Sequence, residues 1–271
     1  MSPVIIPESG SSVWSPVTFY WKNSLSSMTL TASSEASGYE VENIFDMRES
    51  SLWKAAGSSD QNIQSDAGVG HSYIADYLAI ANHNLRTSGG TIVLQYSANG
   101  SAWTNAFTPF IPESDDPIIV EFNSANARFW RILITTLSEA PFMGICIWGA
   151  KSVLGYVWGK FDPNQQEVKD TAFISDFGYL MGISRKYVER ILTLKLDRTP
   201  PDVYAELQSW ADACGIGNFF VAWEKTAHAA DAYLMHWDGK FNNPMTDPTG
   251  TYRSVTINLK GRRDVAGRVY I

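Results

Sequence analysis

The first 150 residues alternate between short apolar runs and clusters of turn-forming residues. Apolar and polar positions alternate in "TIVLQYS" and "RFWRILIT", while "DPIIVEF" and "GICIWGA" are further runs rich in β-branched residues. Asn99-Gly100 separates two of these runs, and a tight turn is predicted there because both residues tolerate positive φ. A period of two without a helical stretch of about 12 residues predicts an antiparallel β-sandwich or jelly roll.

The pattern changes in the second part of the chain, where strands are interrupted by one helix. "YVERILTLKLD" alternates as a long strand, and three further strand patterns lie between Asn218 and the C-terminus. Between them a helix is predicted at about 201–214, with Thr199 as its cap and Gly215 at its end. Its apolar stripe has the spacing of one helix face: Val203, Leu207, Trp210 and Cys214. This order predicts an α+β unit with one flanking helix.

These patterns divide the chain into four segments. The predicted boundaries are an extended segment at 1–27, a β-sandwich at 28–150, a linker at 151–169 and the α+β unit at 170–271. The linker is assigned because "DPNQQ" is a polar turn cluster that follows the last strand pattern of the sandwich. The whole chain is therefore predicted to be mainly β, with two domains.

Composition and charge exclude several classes of protein. Apolar residues make up 45% of the chain, which is enough for a packed core, and the formal net charge is −7. Residues 1–150 contain 6 basic and 14 acidic side chains, so nucleic acid is not an expected partner. Two cysteines are too few for a disulfide framework. Without a signal-peptide or membrane-spanning pattern, the protein is expected to be made in a cytoplasm and to stay soluble.

His83 and Asn84, which end "YIADYLAIANHNL", are candidate ligand-binding residues. A catalytic histidine needs an acid, a base or a nucleophile within hydrogen-bond reach. Asp76 lies seven residues upstream, roughly 20 Å away along an extended strand, so it does not form a local dyad with His83. The alternative is that both residues hold a loop, with His83 bonded to loop backbone and Asn84 favouring a turn, either in a left-handed conformation or by bonding its own backbone.

The remaining polar residues predict neither a metal site nor an enzyme. The four histidines have no metal-ligand spacing, so no metal and no cofactor are expected. Asp115 and Asp116 are adjacent in "PESDDP", which is interpreted as a solvated acidic loop. The chain has no nucleophile elbow and no nucleotide-binding fingerprint. We therefore expect a protein without enzymatic activity.

Aromatic and basic residues suggest two kinds of surface. Trp53 and Trp103 are candidates for stacking on sugar rings, or else for the core of the sandwich. Trp14 and Trp21, in a Ser- and Pro-containing segment near the N-terminus, are candidates for a subunit interface. Arg262 and Arg263 belong to a small basic cluster near the C-terminus, which is interpreted as a polar tail or a subunit contact.

The first half resembles the discoidin, or coagulation factor 5/8 type C, branch of galactose-binding-like domains. The matching pieces are "TASSEASGYEVENIFDMRESSLWKA", "YIADYLAIANHNL", "VLQYSANGSAW" and "RFWRILI", over about residues 28–150. The resemblance implies a jelly-roll β-sandwich. Relatives carry Asp-Gly where this chain has Asp46-Met47, and some of them bind calcium near that turn, so the resemblance leaves calcium open at Asp46.

The segment "AIANHNL" resembles the version of this domain carried by bacteriophage tail proteins. The second half is similar in architecture to the hub fold of distal tail and tail-tube proteins. Together these resemblances imply a structural virion protein of the tail tip or baseplate, assembled in the host cytoplasm. Its expected partners are copies of itself in a ring and other tail proteins. The alternative is a carbohydrate-binding module that recognises a glycan on the host surface.

Overall fold

The computed structural model describes residues 4–6, 15–229 and 231–263, with backbone alone at 4–6 and at Arg263. One α-helix, α1 at Pro201–Cys214, and two 3-10 helices, Ser24–Ser27 and Val41–Phe45, lie within these residues. The strands in chain order are β1 Val4–Ile6, β2 Val17–Tyr20, β3 Thr29–Ala32, β4 Trp53–Lys54, β5 Gln61–Asp66, β6 Tyr73–His83, β7 Thr91–Ser97, β8 Thr104–Asn105, β9 Ile118–Ala127, β10 Phe129–Thr135, β11 Phe142–Gly149, β12 Ser152–Gly155, β13 Gln166–Ile174, β14 Leu180–Thr199, β15 Asn218–Ala222, β16 Ala232–Asn242 and β17 Arg253–Arg263.

The described residues divide into two compact units. The sandwich unit comprises the residues up to Leu154 together with Phe219–Ala232, and the second unit comprises Gly155–Asn218 and the residues from Tyr233 onward. The first division falls inside the predicted linker 151–169. That linker also contains β12 and the start of β13, so its backbone is more regular than its polar composition indicated. The sequence did not predict that residues 219–232 return to the sandwich unit.

Two five-stranded sheets form the body of the sandwich unit. Their strand orders are β1-β9-β6-β11-β4 and β3-β5-β10-β7-β8. In the second sheet, β5 and β10 alternate between buried and half-buried positions, and Trp130, Ile132 and Ile134 of "FWRILIT" are fully buried. In the first sheet, β6 and β11 contain continuous runs of buried residues. Trp53 and Trp148 are also fully buried in the same core. The prediction of a mainly β chain with an N-terminal sandwich is confirmed, and the inner faces of the two sheets share one core.

The turn between β7 and β8 differs in detail from its prediction. Gly100 has a φ of 73°, but Asn99 is not among the residues with positive φ. Instead, the side-chain oxygen of Asn99 accepts hydrogen bonds from the N–H groups of Ser101 and Ala102, each at 3.0 Å. Asn99 therefore stabilises this turn through its side chain, which is the second way in which asparagine favours turns.

Two strands from distant parts of the chain also pair within the sandwich unit. β2 pairs antiparallel with β15, with Phe19 opposite Val221. Val17, Phe19 and Tyr20 are fully buried, so the segment predicted to be an extended N-terminal arm contributes to a core. Gly149, at the end of β11, allows the backbone to approach here, because a Cβ atom at this position would lie 1.8 Å from the carbonyl oxygen of Lys22.

A buried ionic cluster fastens residues 219–232 within this unit. The Nζ of Lys225 donates to both carboxylate oxygens of Glu121, at 2.7 and 2.6 Å, and the Nζ of Lys151 donates to one of them at 3.1 Å. The Tyr20 hydroxyl donates to the same carboxylate at 2.7 Å. Burial by itself raises the pKa of Glu121, but the two ammonium groups and the hydroxyl lower it below its ordinary value.

In the second unit, β16, β17, β14 and β13 lie side by side in that order. The helix α1 occupies the range that its apolar stripe indicated, and Leu207 and Trp210 are its fully buried side chains. The predicted cap is wrong: Pro200 is the N-cap, and Thr199 is the last residue of β14. The Thr199 hydroxyl instead donates to the carbonyl oxygen of Leu196.

Strands β13 and β14 form a hairpin that the sequence did not predict. Beyond Val188, toward the turn, β14 pairs with β13 and with no other described strand. The turn is fixed by hydrogen bonds between Ser175 and Tyr179 and between Gly178 and Ser175. Phe177, at the tip of this turn, is 90% exposed. The strand pattern was missed here because "AFISDFGYLMGI" is apolar without a clear period.

Candidate functional site

The candidate site lies where several connections of the sandwich meet. His83 ends β6 and pairs with Met143 near the start of β11, while Ile80 pairs with Ile118 at the start of β9. The loops that follow β6, precede β9 and precede β11 therefore lie at one end of their sheet. We call this end the loop end. It carries His83, Asn84 and the acidic pair that the sequence singled out.

His83 is held by the protein through both ring nitrogens. Its side chain is buried, with Nε2 2.8 Å from the carbonyl oxygen of Asp116 and Nδ1 accepting from the Leu85 N–H at 3.2 Å. A carbonyl oxygen can only accept, so Nε2 carries the proton. Burial lowers the pKa of His83 and outweighs the nearby carboxylates, which keeps the ring neutral. No ring nitrogen is left for a ligand.

Asn84 is also fully engaged, but not in the way that was predicted. Its amide nitrogen donates to Glu139 and to the carbonyl oxygen of Ala140, and its oxygen accepts from the Phe142 N–H at 2.8 Å. Asn84 therefore bonds a neighbouring loop rather than its own backbone. The residue of this strand that adopts positive φ is Asn82, at 52°.

The acidic pair is more tightly bonded than a solvated loop. The carboxylate of Asp115 accepts from the N–H groups of Arg86 and Thr87 and from the Thr87 hydroxyl. The carboxylate of Asp116 accepts from the Ser114 hydroxyl at 2.7 Å. Both aspartates are half-buried, so this part of the interpretation is corrected. Together with His83, these bonds fix the backbone of the loop before β9.

A cavity of about 660 Å³ opens beside this loop. Its apolar lining comes from the connection between β8 and β9 and includes Phe107, Phe110 and Ile111. Phe107 and Phe110 are half-buried with ring centroids 5.9 Å apart, and Ile111 is exposed. This volume lies within the range of small-molecule sites, whose walls are typically apolar with a few polar groups.

The charged side chains in the lining of the cavity are all acidic. Glu113 is exposed and makes no hydrogen bond or ion pair with any described residue. Asp116 also lines the cavity, and the hydrogen bond from His83 fixes its backbone. The third carboxylate in the lining, Glu121, is neutralised by Lys225 and Lys151. Because no Lys or Arg appears among the lining residues, the cavity favours neutral or cationic ligands and disfavours anions.

Trp53 and Trp103 do not join this cavity. Trp53 is fully buried in the core, where its indole N–H donates to the carbonyl oxygen of Ser34 at 3.2 Å. Trp103 is half-buried next to β8, and the guanidinium of Arg131 stacks on its ring at 4.1 Å. Neither tryptophan is among the cavity-lining residues. The predicted ligand-binding residues are therefore not brought together in one site.

The predicted interface residues are placed only in part. Trp21 is half-buried, and its indole N–H donates to the Ser152 hydroxyl at 2.7 Å, so it makes a contact within the sandwich unit. Arg262 is exposed on β17. Trp14 and the side chain of Arg263 lie outside the described residues.

No group of three or more His, Cys, Asp or Glu side chains that could hold a metal ion occurs among the described residues. At the turn where calcium was left open, the carboxylate of Asp46 accepts from the Arg48 N–H and from the Ser51 hydroxyl. No α-helix in the described part of the chain has the length and apolarity needed to cross a membrane.

A match to a known family concerns the sandwich. Residues 29–148 match the family model described as the F5/8 type C domain. This segment is an F5/8 type C domain. The resemblance expected from the sequence is confirmed for the first half, and the sandwich has the galactose-binding-like fold. No curated protein matches the chain.

Solved structures similar to the F5/8 type C domain include carbohydrate-binding modules. Chitosan-binding module 1 from a chitosanase/glucanase of Paenibacillus sp. IK-5 is 20% identical, with a TM-score of 0.40, over 46% of this chain and 97% of that one. The module CpGH89CBM32-5 from Clostridium perfringens, in complex with GalNAc-β-1,3-galactose, is 18% identical, with a TM-score of 0.40 and coverages of 46% and 97%. The CBM32 of AlyQ, in complex with 4,5-unsaturated mannuronic acid, is 18% identical, with a TM-score of 0.38 and coverages of 48% and 96%.

Sequence reasoning missed the residues that line the cavity. Phe107, Phe110 and Glu113 lie in "AFTPFIPES", a stretch with two phenylalanines and two prolines between strand patterns. Apolar aromatics in a Pro-containing connection are a usable signal, because a loop that only reverses the chain has no need of them. Tryptophan has the larger ring system for stacking, yet Trp53 lies in the core.

Proposed function

We propose that the F5/8 type C domain binds carbohydrate in the cavity at the loop end. The observation that carries this proposal is the combination of Phe107 and Phe110 with the unpartnered carboxylate of Glu113 in one lining. Sugar rings present C–H faces that pack on aromatic rings and hydroxyl groups that donate to carboxylates. The cavity offers both kinds of contact on a loop that His83, Asp115 and Asp116 hold in place.

The charge of the lining narrows the class of sugar. Because the lining carries the carboxyl groups of Glu113 and Asp116 and no basic side chain, it disfavours uronic acids. Neutral sugars and amino sugars are the proposed ligands, and an ammonium group would pair with Glu113. Of the modules named above, one binds a neutral disaccharide and another an unsaturated uronic acid, so the choice of sugar rests on this cavity alone.

Isothermal titration calorimetry tests this proposal. Chitosan oligosaccharides and GalNAc-β-1,3-galactose are titrated into the full chain, with mannuronate oligosaccharides as the anionic comparison. Glu113→Gln is expected to weaken binding of the preferred sugar about tenfold or more, the loss of one charge-assisted hydrogen bond. Glu42→Gln, an exposed glutamate outside the cavity lining, is the matched control and keeps wild-type affinity. Equal affinities for the two variants, or preference for mannuronate, would overturn the proposal.

A second proposal is a structural role without enzymatic activity in a phage virion, at the tail tip or baseplate. One observation favours an assembling protein: the hairpin of β13 and β14 carries large apolar side chains that are exposed. The hub-like nature of the second unit and the place in the tail rest on the resemblances of the sequence. Mass spectrometry of purified virions, and electron microscopy with a label on this chain, test the proposal. Absence of the chain from virions would refute it.

A further inference from the structure

The hairpin of β13 and β14 is the most apolar exposed surface of the described residues. Nine large apolar residues between 168 and 187 are 44–90% exposed: Val168, Phe173, Ile174, Phe177, Tyr179, Leu180, Met181, Ile183 and Tyr187. From residue 171 to residue 184 the sole charged side chain is Asp176. Solvated hairpins keep one face polar, and this one does not.

Both faces of the hairpin are apolar. Ile183 pairs with Ala172, the neighbour of Phe173, in a stretch of regular register, so Phe173 and Ile183 point to opposite faces, and they are 56% and 60% exposed. On the other strand, Leu180, Met181 and Ile183 are all at least 59% exposed. Phe173 lies opposite Gly182, and its ring is 4.0 Å from where a Cβ atom of that glycine would be.

The exposed apolar area of the hairpin is larger than that of an ordinary surface patch. With about 200 Å² for a large aromatic or aliphatic residue, exposures of 44–90% over nine residues amount to roughly 1,000 Å². The largest apolar patch of a monomeric protein is about 300–600 Å², and each partner of a stable complex contributes about 800 Å². This area is shared between the two faces, about 500 Å² each, so two hairpins that meet face to face bury about 1,000 Å², the least that a specific interface needs.

A lipid surface fits this hairpin less well than a protein does. The outer edge of β13 is paired with no described strand, and its backbone groups would stay unsatisfied in hydrocarbon. Asp176, in the turn, would cost about 2.5–3.5 kcal/mol at the centre of a bilayer. A protein partner can bond the backbone edge and leave Asp176 in water.

We propose that the hairpin of β13 and β14 is a self-association element, which packs its two apolar faces against second copies of this chain. Identical hairpins meet the area requirement without any other surface. Because both faces need to be covered, contact on one face leaves the other exposed, so the expected assembly contains more than two copies. This inference deepens the assembly proposal above, on which it rests, and is independent of carbohydrate binding.

The test is the mass of the full chain in solution, measured by light scattering after size-exclusion chromatography from low to high micromolar concentration. The hairpin variant carries Phe177→Ser, Leu180→Ser and Ile183→Ser. The control variant carries Val69→Ser, Ile74→Ser and Ile216→Ser, at exposed apolar positions outside the hairpin. The wild type and the control are expected to form oligomers larger than dimers, and the hairpin variant a monomer with an unchanged circular dichroism spectrum.

Photocrosslinking from p-benzoyl-phenylalanine in place of Phe177 identifies the partner and is expected to yield multimers of this chain. Vesicles of phosphatidylcholine and phosphatidylglycerol serve as the lipid probe in a flotation assay. A monomeric wild type, an oligomeric hairpin variant, or flotation of the wild type that the hairpin variant loses would each overturn the inference. A chain that is monomeric in solution but present in virions would refute self-association and leave the assembly proposal standing.

Discussion

The buried cluster around Glu121 allows a prediction about how residues 219–232 are held. Lys225→Met removes one ammonium group and keeps a side chain of similar length. The carboxylate of Glu121 is fully buried and receives Lys225 at 2.6 Å and Lys151 at 3.1 Å. Removing one partner of a buried ion pair typically costs about 3–5 kcal/mol, because it leaves a buried charge uncompensated. Since Lys151 and the Tyr20 hydroxyl remain, we expect a loss at the lower end, about 3 kcal/mol.

Urea denaturation followed by tryptophan fluorescence measures this loss, and hydrogen exchange locates it. Amide protection is expected to fall in 219–232 more than in β10 or β5, because Lys225 is the residue of that segment that binds Glu121. Arg185→Met is the control: its guanidinium pairs with Asp170 while 70% exposed, so a change within about 1 kcal/mol is expected. If Lys225→Met lowers the free energy of unfolding no more than Arg185→Met does, the cluster around Glu121 does not hold residues 219–232 in place.

Two further predictions concern acid stability and backbone packing. Hydrogen bonds from Ser15, Thr226 and Ala227 overcome the effect of burial and lower the pKa of Glu224 to about 2, so stability is full above about pH 4.5 and is lost as pH falls toward 2. Lowering the pKa of Glu224 from 4.5 to about 2 contributes about 3 kcal/mol to the free energy of unfolding. When the urea midpoint is measured between pH 5 and 2, Glu224→Gln is expected to show a smaller loss of stability with acid than the wild type. The same loss in both proteins would contradict this prediction. Gly149→Ala places a Cβ atom against the carbonyl of Lys22 and is expected to lower the free energy of unfolding, measured by thermal denaturation, by about 3 kcal/mol or more. Gly57→Ala is the neutral control, because a Cβ atom there meets nothing within 4 Å.

The sandwich could be predicted because its signal is local. In "RFWRILIT" every second residue is apolar, and Trp130, Ile132 and Ile134 are the ones that are buried. The helix was found for the same reason, since Leu207 and Trp210 follow a period that one stretch of sequence contains. The prediction that Thr199 caps the helix was wrong because Thr199 belongs to β14. The end of β14 is set by its pairing with β17, where Thr199 lies opposite Arg253.

The candidate site could not be predicted as a site, because it depends on which loops meet. His83 could be assigned a backbone contact, but its partner is the carbonyl of Asp116, 33 residues away. The cavity depends on how the connection carrying Phe107 and Phe110 folds beside β9, and no periodicity encodes that. The hairpin was hidden for another reason: a surface that is apolar on both faces has no alternation to detect.

The pairing of β2 with β15 has a consequence for synthesis on the ribosome. Val17–Tyr20 is made early and pairs with residues made about two hundred positions later, so the sandwich unit cannot complete its fold until Ala232 has emerged. At about 5–20 residues per second, at least ten seconds pass before β15 can pair with β2. A fragment ending near residue 150 would make that wait permanent, with Glu121 deprived of both Lys151 and Lys225. Residues 29–148 match the family model, but the compact unit that contains them also includes 219–232.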